Sequence, residues 1–418
     1  MKKIFTTLLI ILICFGLIAS LVGCFGGSKA PEPTPTPRPA PPPTPTPTPE
    51  PTPEPTPVPL AEYSGTVHHL FFHEAIAYPE IAFPNGVDTF NLDEYMNTVH
   101  EFNMVLKSLN ERNFVLVSMH DIWEEFTNSD GNKRMRRISP LMLPEGKTPI
   151  VLSFDDLTFH LEPYNAFMHR YIIGDDGDVW AEGVDPNGNK IITQDLTAIT
   201  ILDKFIRENP EFSHNGAKGC IAQTGLHGLL GYKTQTNKND NSEEFRLNRM
   251  KEIARAEPVV RRLLDTGWYF ASHSWGHLRF ENASLERVRE DAQRWQDEVA
   301  SLVGNTIIMI YGHGSRLDGN DVWRETAGPA LRHYVDELGF RMFASVGYEP
   351  FVRIRSDVPA VMMDRMNVDG LALRGRQRVV NNKNILESDY TIYYNVREVF
   401  DPLRPTEGNR VRPIRWDE

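Results

Sequence analysis

The chain has 418 residues and a formal net charge of −12 at pH 7, with 56 acidic and 44 basic side chains. This acidic balance argues against nucleic acid and strongly anionic polymers as partners, although local basic patches could override the total charge. Only three cysteines occur, so a large hydrophobic core rather than a set of disulfides must stabilise the fold.

The first 24 residues have the features of an export signal. Two lysines precede an apolar stretch at residues 4–22, a pattern typical of a secretory signal peptide. The length of this stretch leaves an uncleaved membrane anchor as an alternative. Leu21-Val22-Gly23-Cys24 resembles the bacterial lipobox, which implies cleavage after residues 1–23 and acylation of Cys24. We therefore expect an extracytoplasmic lipoprotein that is anchored to the cell membrane through this cysteine.

Proline occupies nearly every second position from Pro31 to Pro59. Such a segment cannot build a core and favours polyproline II. At about 3.1 Å per residue it could extend roughly 90 Å. We expect residues 24–60 to form the lipidated cysteine and a stalk, and residues 61–418 to form the globular domain, with Cys220 as a small buried residue.

Strand-like and helical runs alternate along the globular part, which predicts a parallel α/β sheet or barrel. Strands are predicted at Thr66–Phe72, Phe114–Met119, Pro149–Phe154, Trp268–Ser272, Thr306–Tyr311, Phe340–Val346, Val361–Met366 and Thr391–Val396. Helical spacing of apolar residues predicts helices at Leu92–Asn110, Thr197–Glu208, Ser284–Val303 and Asp321–Leu338.

One stretch, about residues 160–241, interrupts this alternation. It contains two turn signals, Gly174–Gly177 and Asp185–Gly188, on either side of a short strand-like run at Asp178–Gly183. We interpret the stretch as an insertion that begins with a hairpin and follows the Pro149–Phe154 strand.

Two groups of polar residues follow predicted strands. Asp155 and Asp156 end one strand, and His273 and His277 follow a later one, four residues apart. Carboxylates at a strand end need water, a partner or a metal, and imidazoles at this spacing can face one ion. Alternatives are a helix N-cap for the aspartates and structural roles for the histidines.

Ser153-Phe154-Asp155-Asp156 followed by His273-Ser274-x-x-His277 resembles the polysaccharide deacetylases of carbohydrate esterase family 4. The resemblance implies an irregular, partly open (β/α) barrel. It implies that Asp155 is the general base and that Asp156, His273 and His277 bind a divalent metal, for which Zn²⁺ is the expected ion. Three ligands of this kind leave a position open for water and substrate, and Ser274 is expected to begin the turn of the histidine loop.

The third family motif is altered in Ile310-Tyr311-Gly312-His313-Gly314. Where the family has a Tyr-Pro-Tyr-Gly-like segment, glycine replaces proline and histidine replaces an aromatic residue. A backbone donor survives such changes, so the resemblance implies that the His313 N–H helps to hold the oxyanion. His313 could equally be a substrate contact or a surface residue. Arg316 is a candidate to orient Asp155.

The general acid departs from the family pattern, because no histidine follows His333. A circularly permuted subgroup, similar to the poly-N-acetylglucosamine deacetylases, supplies this residue from its first strand. His73, at the end of the first strand here, fits that arrangement, although it could instead cap the strand end. Asp364, Arg365 and Asp369 loosely resemble the fourth motif, and one of these carboxylates could orient an imidazole.

The resemblance thus predicts a metal-dependent hydrolase that removes acetyl groups from an N-acetylated cell-wall or surface polysaccharide, such as peptidoglycan or a poly-N-acetylglucosamine-like polymer. The expected partners are this polysaccharide and the membrane, with no nucleic acid. The alternative is a catalytically inactive carbohydrate-binding lipoprotein on the same scaffold, which the missing late histidine and the altered third motif keep open.

Overall fold

The computed structural model of the protein describes residues 59–157, 163–374 and 392–405. The predicted signal peptide, the predicted lipidation site Cys24 and nearly all of the predicted stalk lie outside the described residues. Within these ranges, none of the helices combines the length and the apolar character that spanning a bilayer requires.

The described part of the chain contains sixteen strands, and seven of them, all parallel, form a ring. The strands in chain order are β1 (Leu60–Glu62), β2 (His68–Phe72), β3 (Phe114–Leu116), β4 (Trp123–Thr127), β5 (Lys133–Arg137), β6 (Met142–Pro144), β7 (Thr148–Asp155), β8 (Arg170–Ile173), β9 (Val179–Val184), β10 (Lys190–Thr193), β11 (Cys220–Gln223), β12 (Tyr269–Ser272), β13 (Ile308–Ile310), β14 (Met342–Val346), β15 (Val352–Ile354) and β16 (Val361–Asn367). The ring runs β2-β7-β11-β12-β13-β14-β16 and returns to β2. The predicted α/β barrel is therefore confirmed.

The barrel closes mainly at the carboxyl ends of its strands. Strand β2 pairs with β16 only at Met366 and Asn367, because β15 pairs antiparallel with residues 361–363 of the same strand. Strand β7 is shared in a similar way, since β3 pairs with its first residues and β11 with its last. Because β15 and β3 occupy part of the edges of β16 and β7, the barrel is irregular, and the carboxyl ends of its strands come together on one side.

The alternation of side chains along β7 decides which residues enter the barrel. Leu152 and Phe154 belong to the apolar layer between the strands and the surrounding helices. Val151 belongs to the interior cluster, and Ser153 and Asp155 share its side of the strand because side chains alternate with a period of two. The sequence of β7 therefore places one carboxylate at the carboxyl end of the barrel interior.

Helices cover the outside of the barrel. The α-helices are α1 (Pro79–Ala82), α2 (Leu92–Tyr95), α3 (Val99–Glu111), α4 (Ala198–Glu208), α5 (Glu243–Asp265), α6 (Leu285–Trp295), α7 (Ser301–Val303), α8 (Pro329–Arg332) and α9 (Val396–Val399). Two π-helical segments lie at Gln296–Ala300 and His333–Glu337, and 3₁₀ turns lie at Pro84–Gly86, Met119–Asp121, Tyr164–Ala166, Pro210–Phe212, Phe280–Asn282, Gly312–Gly314 and Leu317–Gly319.

Two predicted helices differ from the structure for identifiable reasons. The helix predicted at Leu92–Asn110 is two helices, because Thr98 forms a capping box with Glu101 that begins α3. The helix predicted at Asp321–Leu338 begins only at Pro329. Arg355 donates side-chain hydrogen bonds to the carbonyls of Asp321, Arg324 and Glu325, which removes these acceptors from a helical pattern.

The strand predicted at Thr391–Val396 is wrong over its described residues. Residues 392–395 form no strand, and the side chain of Asn395 accepts a hydrogen bond from the Arg397 N–H and so begins α9. The rings of Tyr393 and Tyr394 are buried. Their apolar character, which suggested a strand, comes from packing against the core.

The interrupting stretch differs from the prediction in both content and extent. The two turn signals connect three antiparallel strands, β8, β9 and β10, rather than one hairpin. We call these three strands the inserted sheet. Helix α4 and the barrel strand β11 follow it, so the predicted insertion at about 160–241 includes a strand of the barrel itself. Cys220, on β11, is fully buried as predicted.

Candidate metal centre and active site

Three predicted metal ligands converge at the carboxyl end of the barrel. Asp156 directly follows β7, and His273 and His277 lie in the loop after β12. The Oδ2 atom of Asp156 lies 3.4 Å from His277 Nε2 and 3.8 Å from His273 Nε2. One ligand atom from each residue lies within 4.8 Å of the other two. Asp156 thus shares one position with two histidines that lie 117 and 121 residues later in the chain.

Both histidines are prepared to act as neutral ligands. His273 Nδ1 lies 2.8 Å from the Ile310 carbonyl oxygen, and because a carbonyl only accepts, Nδ1 must carry the hydrogen. The lone pair of Nε2 is then directed towards Asp156. Burial lowers the pKa of His277 to about 4, although the Asp156 carboxylate opposes this shift. At neutral pH the ring is therefore uncharged, as metal binding requires.

The neighbouring Asp155 is held by an arginine. It is 3% exposed and accepts two parallel hydrogen bonds from Arg365, at 2.8 Å and 3.0 Å. Burial raises the pKa of Asp155, but the Arg365 guanidinium outweighs this effect and holds the pKa well below its usual range. Asp155 is therefore an ionised acceptor, and its Oδ2 lies 3.8 Å from His273 Nε2.

The arginine that orients Asp155 is not the one that the sequence indicated. Arg316, the predicted candidate, forms an ion pair with Asp364 instead. Arg365 shares the inward side of β16 with Met363, two residues earlier, and it also donates to Ser153 Oγ at 3.0 Å. The alternation of side chains along β16 could have identified Arg365, because a cation on the inward side of a strand needs an acidic partner inside the barrel.

The histidine loop is fixed by hydrogen bonds to its backbone. The predicted turn is present, because Ser274 Oγ accepts from the Leu278 N–H at 2.8 Å. Asp291, on α6, accepts from the N–H groups of Trp275 and Gly276, both at 2.7 Å. Asp291 could not be identified from the sequence, because a buried acid on an amphipathic helix is recognised only once its hydrogen-bond partners are known.

Backbone strain is concentrated at this end of the barrel. Asp156, Ser274, His277 and His313 all adopt the left-handed region, with φ between +51° and +58°. Non-glycine residues adopt this conformation at an energetic cost, and they do so mainly where surrounding contacts enforce it at functional sites. The strain indicates that the loops are shaped to orient particular side chains.

The altered third motif lies directly against the candidate ligands. The rings of His313 and His277 have centroids 4.1 Å apart. A Cβ atom added to Gly312 would lie 2.9 Å from Cδ2 and 3.2 Å from Nε2 of His277. The glycine at this position is therefore needed for the present placement of the His277 ring, and the predicted oxyanion donor, the His313 N–H, lies in the same turn.

The predicted general acid, His73, lies at the same rim of the barrel. It follows β2, is partly exposed, and its charge would lower the pKa of both Asp155 and Asp156. Burial raises the pKa of Asp369, and the charge of His73 opposes that shift as well. Of the two carboxylates in the fourth motif, Asp369 is thus the one that interacts with an imidazole, whereas Asp364 pairs with Arg316.

Two further residues near the site were not indicated by the sequence. Thr224, after β11, donates from Oγ1 to Asp156 Oδ1 at 3.2 Å. His227, three residues later, is an exposed residue. Partial burial of its ring lowers its pKa, and the charge of Asp156 opposes this shift. Both lie in a stretch that was interpreted as insertion, so their position at a strand end could not be recognised.

The donor set fits a zinc-type ion. Two imidazole nitrogens and one carboxylate oxygen match the three-ligand sites in which a further position stays open to water and substrate. The fixed tautomer of His273 and the neutral form of His277 both direct Nε2 atoms towards Asp156. These observations make Asp156, His273 and His277 a possible metal-binding triad.

Comparison with known proteins gives a family match within this region. Residues 236–322 match the family model described as polysaccharide deacetylase. This segment includes the histidine loop and the turn that contains His313. Among curated proteins, no match to the chain was found.

Several solved structures resemble the fold at low identity. The deacetylase PplD of Streptococcus pyogenes, solved with acetate, is 15% identical, with 73% of this chain and 93% of that chain covered and a TM-score of 0.37. A polysaccharide deacetylase from Bacillus cereus is 10% identical, with coverages of 73% and 66% and a TM-score of 0.39. The BpsB deacetylase domain of Bordetella bronchiseptica is 12% identical, with coverages of 74% and 99% and a TM-score of 0.33.

Proposed function

We propose that this chain, which matches the polysaccharide deacetylase family model over residues 236–322, is a metal-dependent hydrolase that removes acetyl groups from an N-acetylated cell-wall or surface polysaccharide. The observation that carries the proposal is the convergence of Asp156, His273 and His277 beside the Asp155–Arg365 pair. The family match supports the reaction type, and the site chemistry supports a zinc-type ion.

In this proposal each residue has one task. A divalent ion bound by Asp156, His273 and His277 would supply a Lewis acid that polarises the acetyl carbonyl and acidifies water. Asp155, kept ionised by Arg365, accepts the proton of the attacking water. The His313 N–H donates to the oxyanion.

His73 completes the reaction by protonating the leaving amine. The acetyl C–N bond breaks, the amine takes the proton from the imidazole, and acetate is released with the oxygen from water. An amine is a poor leaving group without this proton, and histidine is suited to donate it near neutral pH. Asp369 is the neighbouring carboxylate that interacts electrostatically with the ring.

We also propose that the enzyme works outside the cytoplasm, anchored through Cys24 and lifted from the membrane by the proline-rich stalk. Support for this part comes only from the composition of residues 1–59. An acidic protein is suited to a neutral glycan substrate rather than to an anionic polymer.

Acetate release from chitooligosaccharides and from peptidoglycan fragments tests the proposal. The full chain should release acetate, lose this activity with a chelator and regain it with added Zn²⁺. Asp156→Ala and His273→Ala should abolish both zinc binding and acetate release. The control is His120→Ala, which replaces an exposed histidine after β3 and should change neither property. Glycan binding without chelator-sensitive acetate release would overturn the proposal in favour of an inactive carbohydrate-binding lipoprotein.

A further inference from the structure

A buried carboxylate lies next to the proposed general acid and has no part in the mechanism above. Glu74 is 2% exposed. Its Oε1 accepts from the N–H groups of Ala75 at 2.9 Å and Ala198 at 3.3 Å, and its Oε2 accepts from Tyr171 Oη at 2.9 Å. A buried carboxylate is tolerated only when hydrogen bonds compensate its lost hydration, and three donors from three parts of the chain do so here.

These donors connect the loop of His73 to two other elements. Ala198 is the first residue of α4, and the N-cap residue Thr197 makes no side-chain hydrogen bond to the helix backbone. Glu74 therefore supplies the acceptor that the start of this helix needs. Tyr171 lies on β8, in the inserted sheet, so the inserted sheet contacts the His73 loop through one hydroxyl group.

Tyr171 is itself fixed in place. It is fully buried, its N–H donates to the Leu230 carbonyl at 3.2 Å, and its carbonyl accepts from Tyr232 Oη at 2.6 Å. The hydroxyl that reaches Glu74 thus belongs to a side chain with little freedom to move. The inserted sheet lies between β7 and α4, where a short loop would be enough to connect the two.

The ring of His73 has few contacts that could orient it directly. Its Nδ1 atom is buried and has no hydrogen-bond partner among the described residues. The pairing of β2 with β7 ends one residue earlier, at Phe72. The ring of Phe71 touches it edge to face, at 5.9 Å between centroids. Besides the electrostatic interaction with Asp369, its orientation therefore depends on the backbone of residues 73–75, which Glu74 holds.

We propose that the inserted sheet positions the general acid, with Tyr171 as a positioning residue that acts through Glu74 on His73. This inference rests on the proposed function and adds a role for the inserted sheet. Tyr171 touches neither substrate nor metal ligand. Its hydroxyl fixes Glu74, Glu74 fixes the Ala75 N–H, and the imidazole is held at the distance from the leaving amine that proton transfer requires.

Tyr171→Phe tests the proposal, with Tyr232→Phe as the matched control. Both variants lose a buried hydroxyl that takes part in hydrogen bonding at residue 171, but only the first removes the contact with Glu74. Tyr171→Phe should lower kcat for acetate release from the glycan by about tenfold and leave KM and zinc content unchanged. Hydrolysis of 4-nitrophenyl acetate should change little, because nitrophenolate leaves without a proton. Tyr232→Phe should not lower acetate release from the glycan more than it lowers hydrolysis of 4-nitrophenyl acetate.

Glu74→Gln is the conservative variant that should retain kcat. Its amide oxygen can still accept from Ala75 and Ala198, and its NH₂ group can donate to Tyr171 Oη. Hydrogen exchange gives a readout that does not depend on activity. The peptide at residues 72–77 should exchange faster in Tyr171→Phe than in Tyr232→Phe.

Equal losses in Tyr171→Phe and Tyr232→Phe on both substrates would overturn the inference, because they would show only a loss of packing. Unchanged exchange at residues 72–77 in Tyr171→Phe would overturn it as well. A wild-type protein that releases no acetate would instead contradict the proposed function. In that case the exchange experiment would still decide whether the inserted sheet holds the His73 loop.

Discussion

Arg365 holds Asp155 through two parallel hydrogen bonds inside the barrel, with Nη1 donating to Oδ1 and Nη2 to Oδ2. The guanidinium also lies over the ring of Phe71, 4.2 Å from its centroid. This cation keeps the carboxylate ionised and fixes its orientation next to His273. A planar, bidentate contact of this kind is specific to arginine.

Arg365→Lys should therefore impair the proton acceptor without removing the metal. A lysine ammonium cannot make both hydrogen bonds, so kcat for acetate release should fall by about tenfold or more. Zinc content should be unchanged, because Arg365 contacts none of the three ligands. The control is Arg316→Lys, which should keep kcat within about twofold because Arg316 pairs with Asp364 rather than with Asp155. A larger loss in Arg316→Lys would restore the role predicted from the sequence.

Gly312→Ala should weaken metal binding through His277. The added methyl group would lie 2.9 Å from His277 Cδ2, which forces the ring to shift and should lower zinc affinity by about tenfold or more. Titration of the chelator-stripped protein with Zn²⁺ measures the effect. Gly319→Ala, in the next turn, is a control for backbone strain away from His277, because its φ is +63° and a Cβ there would meet only Arg324, at 3.9 Å. Equal affinities in wild type and Gly312→Ala would contradict the placement of His277.

His73→Gln should separate amide from ester hydrolysis. Loss of the proton donor should lower acetate release from the N-acetylated glycan by at least about a hundredfold. Hydrolysis of 4-nitrophenyl acetate should fall far less, because its leaving group needs no proton. Parallel losses on both substrates would contradict the assignment of His73 as the general acid. Steady-state rates at saturating zinc provide the comparison.

Glu74→Gln should change how stability depends on pH. Burial raises the pKa of Glu74 from 4.5 to about 7. Between these values the folded protein still holds a proton that the unfolded chain has lost, so the free energy of unfolding falls as pH rises and becomes constant above pH 7. One pKa unit corresponds to about 1.4 kcal/mol, so this term is at most about 3 kcal/mol.

Urea unfolding of wild type and Glu74→Gln from pH 5 to pH 8 measures this term as a difference between the two curves. The stability of wild type relative to the variant should decline over this range. Parallel curves would show that Glu74 does not carry the proton. Because Asp321, with a pKa raised by burial to about 6, is common to both proteins, its contribution cancels in the comparison.

The barrel and its strand-end residues could be predicted from the sequence because both depend on local patterns. The apolar run ending in Asp155 and Asp156 identifies a buried strand, and carboxyl ends of parallel strands meet at one side of a barrel. The pairing of Asp155 with Arg365 could not be predicted in the same way. The two residues are 210 positions apart in the chain. From the sequence alone Arg316 was an equally suitable partner for Asp155, and only the inward direction of Arg365 on β16 distinguishes the two arginines.

Other features depended on contacts that the sequence does not show. The inserted sheet was recognised only as turn signals, and its connection to His73 needs the side chains of Tyr171 and Glu74. The helix expected from residue 321 onward was prevented by Arg355, which lies about 30 residues later in the chain. Local propensity could not compete with these long-range hydrogen bonds.

Anomalous diffraction from crystals grown with Zn²⁺, at the zinc absorption edge, tests the central claim most directly. We expect one peak at the carboxyl end of the barrel, about 2.0–2.2 Å from Asp156 Oδ2, His273 Nε2 and His277 Nε2. The peak should be absent in crystals of His273→Ala. A peak held by other residues, or no peak between these three side chains at saturating zinc, would contradict the metal centre and the hydrolytic mechanism built on it.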